Sequence, residues 1–159
     1  MLDNRTRLHI AHEIAQIERL MRDYQELLAE SSIRVPDLIA RTALGAVLQS
    51  FYTGLENIFQ TVAKRIDGGV PISADWHRQL LAQMARSTDR RAPVITPTTV
   101  EALEAYLGFR HVSRHGYSYT LEWVKMRALI QDLPVVWQQF HKDVLAFLNV
   151  MSTPDDQDV

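Results

Sequence analysis

One apolar stripe limits what this chain can fold into. Leu44, Leu48, Phe51, Leu55, Ile58, Val62 and Ile66 follow one another in steps of 4, 3, 4, 3, 4 and 4. That rhythm keeps every one of them on the same face of an α-helix. Read from Pro36 to Ile66, the helix is about 45 Å long at the usual rise per residue. Asp67-Gly68-Gly69 then forms a strong stop. Gly45 and Gly54 each weaken the helix by about 1 kcal/mol relative to Ala, and so point to close approach of a neighbouring helix.

A second stripe precedes it. Ile10, Ile14, Ile17, Met21, Tyr24 and Leu28 step 4, 3, 4, 3 and 4, which predicts one long helix ending at the SSIRVP stretch. Pro36 suits the first turn of the following helix. Ser73 reads as the N-cap of a short helix whose inner face carries Trp76, Leu80 and Met84. The basic stretch STDRRAPVITP reads as a loop, and Arg86, Arg90 and Arg91 around it read as solvated charges or as contacts for RNA phosphates. Thr98 and Glu101 have capping-box spacing and open a helix with Leu103, Tyr106, Leu107 and Val112 on its inner face. Two further helical pieces are expected, at about 120 to 131 and 134 to 149, with Pro134 in a first turn. Trp137, Phe140, Val144, Phe147 and Met151 form the last stripe. No segment alternates with the period of a strand. The expected fold is all-α: a helical bundle with two long antiparallel helices and shorter helices packed on them.

Composition bounds the function. With 159 residues and 47% hydrophobic content, the chain can bury a real core. Residues 1–151 are expected to form one domain, and the acidic tail 152–159 to be disordered. There are no cysteines, so thiolate chemistry and disulfides are excluded, and a cytoplasmic setting is expected. No stretch has the run of about 20 apolar residues that a membrane span needs. The net charge of −2 argues that any contact with nucleic acid is local.

Against that background, residues 108–119 stand out: GFRHVSRHGYSY. Three readings fit. The segment can be a solvated basic face, although Phe109, Val112, Tyr117 and Tyr119 interleave with its charges. It can be a metal site, since His111 and His115 have i, i+4 spacing; yet no third ligand is evident and two arginines would repel the ion. Or it can be phosphate chemistry. A guanidinium matches phosphate oxygens with a planar fork of donors, and an imidazole can take up and return a proton. RNA carries its own nucleophile, the 2′-hydroxyl, so those groups suffice to cleave it without a metal or cofactor. Arg110 and His115 are five positions apart and so point about 140° from each other on one helix. A bend near Gly116 can bring both to one phosphate, and so can a symmetric dimer, which the spacing favours.

Arg110-His-Val-Ser-Arg-His115, followed by Gly116 and Tyr117, resembles the R-x4-H-x-Y motif of HepT-like toxins in the HEPN superfamily. The segments SFYTGLENIFQTVAKRIDGGVP (50 to 71) and WHRQLLAQMA (76 to 85) are similar to one HepT-like subfamily in order and spacing. The resemblance implies a HEPN-type helical bundle that dimerises through its motif helices. It implies a metal-independent endoribonuclease with Arg110 and His115 as the catalytic pair. It also implies a toxin–antitoxin pair in which a minimal nucleotidyltransferase antitoxin adenylylates Tyr117. Arg114 and His111 are then auxiliary phosphate contacts. Glu56, inside an apolar run, either pairs with a motif arginine or is an exposed polar position. Tyr52 reads as core, Trp76 as a core or cap residue, and His77 as a surface or hydrogen-bonded one. The alternative function is a non-catalytic helical module that binds nucleic acid or a nucleotidyltransferase partner.

Overall fold

The computed structural model describes residues 2–115 and 121–152, with Arg114 and His115 placed as helix residues only. The described residues form an all-helical, HEPN-type bundle. Its helices are α1 (Asn4–Asp23), α2 (Gln25–Ser31), α3 (Leu38–Val62), α4 (Trp76–Met84), α5 (Pro97–His115) and α6 (Trp123–Val150). The last turn of α3 passes directly into a π-helical turn, Ala63–Asp67. The other five helices all pack on α3, as its stripe demands: Leu44, Leu48, Phe51, Leu55, Ile58 and Val62 are all buried. Phe51 meets Tyr106 and Trp137 edge-on, and Phe59 meets Phe140 in the same way. Among the described residues no helix is long and apolar enough to cross a membrane.

Both glycines of α3 sit under a neighbour. A Cβ built on Gly54 would lie 2.7 Å from Ile17 Cγ1 and 3.0 Å from its Cδ1. A β-branched side chain on a helix has little freedom to swing away. At Gly45 the obstacle is the tip of Leu121, at 2.5 Å, which can move more cheaply. Gly54→Ala should therefore destabilise the fold. Overpacking costs about 1–3 kcal/mol, against a gain of about 1 kcal/mol in helix propensity. Thermal unfolding should show a lower melting temperature for Gly54→Ala; a rise would mean that Ile17 yields freely.

Several expected boundaries move, each for a local reason. The first helix is interrupted at Tyr24, which is exposed, so the predicted single helix is two. Asp37, not Pro36, starts α3: its carboxylate accepts from the Ala40 N–H at 2.8 Å. Ser73 does not cap α4, which begins at Trp76; its hydroxyl donates to Asp75 instead, at 2.9 Å. The expected Thr98–Glu101 box gives way to Thr96, whose Oγ1 accepts from the Thr99 N–H at 3.3 Å. Pro97 then takes the first helical position, where no N–H is needed. The two C-terminal pieces are one helix with Pro134 inside it. Proline there costs about 3 kcal/mol, but Ile130, Leu133, Val136 and Trp137 around it are all buried, each stabilising by about 1.5–3 kcal/mol. Val112 does not face inward; it is 70% exposed.

Of the three arginines around the basic loop, Arg86 and Arg90 are exposed as expected, and Arg91 departs from the reading of a solvated charge. It is 3% exposed. Its Nε donates to Asp67 Oδ1 at 2.7 Å and its Nη2 to Asp67 Oδ2 at 2.8 Å. Its remaining donors reach the carbonyls of Arg86, Ala92 and Gln83. Gln83, near the end of α4, also donates to Asp67, at 2.6 Å. One carboxylate on the π-turn thus fixes both α4 and the loop after it.

Candidate active site

The π-turn and Arg91 hold the end of α4. The start of α4 faces α5, and a cavity of about 560 Å³ opens between them, lined by Asp75, Trp76, His77, Arg78, Leu107, Arg110 and His111 among others. The α5 wall is fixed from two sides. Tyr106 donates its hydroxyl to the Leu129 carbonyl of α6 at 2.7 Å. Gln49 of α3 donates to the Ser113 hydroxyl at 2.6 Å, and that hydroxyl donates in turn to the Arg110 carbonyl at 3.2 Å.

Bonded to two of the cavity's lining residues, His77 and Arg110, is Glu56. It is 3% exposed, although it is an acid in an apolar run. Its two oxygens have different partners. Oε1 accepts from Arg110 Nη1 at 3.3 Å, and Oε2 lies 2.6 Å from His77 Nδ1. Of the two alternatives left by the sequence, pairing with a motif arginine is the one realised. The His77 imidazole stacks on the Trp76 indole with ring centres 3.6 Å apart. Exposure rises outward, from buried Glu56 to Arg110 at 12% and His77 at 27%. Tyr52, one helical turn before Glu56, is buried. Burial first, and the Glu56 charge second, push its phenol above the ordinary value, so it stays neutral at physiological pH.

The chemistry available follows from this arrangement. Arg78 and Arg110 are matched in number by Asp75, which lines the cleft with them, and by Glu56, which pairs with Arg110. Arg78, Arg110, His77, His111 and the Asp75 carboxylate line the cleft, set against an apolar wall that includes Leu107.

Of the residues that the sequence singled out, the structure brings Arg110, His111 and Glu56 to this cleft. The side chains of Arg114 and His115, the position of Tyr117, the bend at Gly116 and the acidic tail from Thr153 lie outside the described residues. Among the described residues no three His, Asp or Glu side chains gather as metal ligands. Sequence reasoning missed His77 as a member of the site. The signal was present: its segment is one that carries the family resemblance, and Glu56 was an unexplained acid waiting for partners.

Comparison with protein-family models matches residues 43–151 to the model described as HepT-like protein. No curated protein and no solved structure matches the chain.

Proposed function

The chain belongs to the HepT-like protein family of the HEPN superfamily, and from that premise we propose that it is a metal-independent endoribonuclease, the toxin of a prokaryotic toxin–antitoxin pair. Arg110 and His115 carry the chemistry. The RNA 2′-hydroxyl attacks the adjacent phosphorus while the guanidinium stabilises charge on the phosphoryl oxygens. The protein works in the cytoplasm as a homodimer whose motif helices share a cleft, with His111 and Arg114 as auxiliary phosphate contacts. A minimal nucleotidyltransferase antitoxin controls it through Tyr117. A bulky anionic nucleotide at that position would block and repel an incoming phosphate.

The observation that supports this reading is the setting of Arg110. An arginine on a solvated face has no need of a buried carboxylate. This one is held by Glu56 at the mouth of a cavity, on the helix that carries the R-x4-H sequence. The test is cleavage of RNA by the purified chain in the presence of EDTA. The wild type should cut RNA, and His115→Ala should leave it intact. Wild-type protein that leaves RNA intact, free of antitoxin, would favour the binding-module alternative.

A further inference from the structure

Cleavage by the 2′-hydroxyl moves two protons, and this imposes a requirement that a single Arg110–His115 pair does not meet. One proton leaves the 2′-oxygen as its electron pair bonds to phosphorus. Another arrives at the 5′-oxygen as the bond from phosphorus to that oxygen breaks. The products are a 2′,3′-cyclic phosphate and a 5′-hydroxyl. An arginine stays protonated throughout and can serve neither transfer. One imidazole can serve one transfer in a given step, so a second proton-transfer group is needed: His115 of a second copy across the shared cleft, or a group of the same copy that lines the cavity.

We propose that His77 is that group: it is the general base that takes the proton from the 2′-hydroxyl, while His115 supplies the proton to the 5′-oxygen. The proposal rests on the ribonuclease reading above. Its basis is the way His77 is held. Nδ1 lies 2.6 Å from Glu56 Oε2. A carboxylate can only accept, so Nδ1 carries the hydrogen, and the lone pair of the neutral ring is on Nε2. A buried carboxylate that orients an imidazole and stabilises the cation formed on it is the arrangement that makes histidine a base in hydrolases. Here the same carboxylate also holds Arg110 through its other oxygen. One buried acid thus aligns the proton acceptor and the phosphate-binding fork at one cavity. The Trp76 ring fixes the imidazole plane, and the ring is open enough to meet a ligand. Tyr52 and Glu56 on α3, Asp75 just before α4, Arg78 on α4, and Arg110 and His111 on α5 are the ionisable groups around it.

The test uses the full-length protein, EDTA, and a fluorescently labelled single-stranded RNA of mixed sequence. His77→Gln keeps an N–H that can donate to Glu56 but cannot carry a proton. It should cut about 100-fold more slowly or worse. It should bind a 2′-O-methyl version of the RNA as the wild type does. The limb of the kcat/KM profile that rises with pH should be lost. His77→Ala should regain rate when free imidazole is added, which a folding defect would not do. A Gln variant that keeps the wild-type rate, or that loses rate equally at every pH, would make His77 a positioning residue only. Loss of the limb that falls with pH would make it the acid and overturn the assignment as base. If the wild type itself yields no cyclic-phosphate ends, the ribonuclease reading fails and this assignment fails with it.

Discussion

Arg110→Ala should lower RNA cleavage by about 1,000-fold or more, the scale seen when one arginine that stabilises phosphoryl charge is removed. The guanidinium is only 12% exposed, so its charge acts where water screens it poorly. Arg110→Lys should not recover the loss, because an ammonium is a point charge and cannot reach Glu56 and a phosphate with one planar fork. Arg110→Ala has a second effect that must be separated from the first. It leaves the buried Glu56 with His77 as its remaining hydrogen-bond partner. Breaking a buried pair by removing one member costs about 3–5 kcal/mol, and less here because Arg110 is partly open to water. Combining Arg110→Ala with Glu56→Gln removes the stranded charge. That double variant should recover melting temperature and still fail to cut RNA. If it regains cleavage, Arg110 serves only to neutralise Glu56.

The largest effect on stability should come from Arg91→Met. The change deletes the paired donors to Asp67 and leaves a mostly buried carboxylate with Gln83 alone. The expected loss is about 3–5 kcal/mol at pH 7, or about 2–4 °C in melting temperature for each kcal/mol. The pH dependence gives an independent check. Burial tends to raise the Asp67 pKa, but hydrogen bonds from Arg91 and Gln83 and the Arg91 charge outweigh it and hold the carboxyl below its ordinary value. A depressed pKa stabilises the fold above the unfolded value of about 3.9, and that contribution is lost as pH falls through the lower, folded value. Urea unfolding should therefore show a wide gap between wild type and Arg91→Met at neutral pH, and a narrower one in acid below about pH 4. A gap of equal width at both would mean that lost packing, not the ion pair, is responsible.

What the sequence made legible was local and periodic. The α3 stripe, the glycine stop and the need for close approach at Gly54 all follow from residues within a few turns of one another. Two kinds of feature escaped. Boundaries escaped where neighbouring residues competed for one role: Asp37 with Pro36, and Thr96 with Thr98. The choice depends on which side chain reaches the free N–H groups, and composition cannot rank that. The other kind depends on partners distant in sequence. Arg91 reads as a surface charge until Asp67, 24 residues earlier, is seen against it. Pro134 reads as a helix start until the burial on both sides of it is known. His77 was unremarkable until its carboxylate, 21 residues earlier, was located. Glu56 itself was half legible, since a buried acid predicts a partner but does not say which.

The π-helical turn at Ala63–Asp67 has a consequence for insertions and deletions. A π-turn is an α-helix with one residue too many, and each residue turns a helix by about 100°. The extra residue is what rotates Asp67 to the side where Arg91 and Gln83 can reach it. Removing one residue, Lys64 for example, would restore a regular helix and swing the carboxylate about a quarter-turn away. The anchor of α4 would go with it, and so would the fixed approach of Trp76 and His77 to Glu56. A single-residue deletion outside the cleft, tolerable in most exposed helix ends, would here unfasten one wall of it.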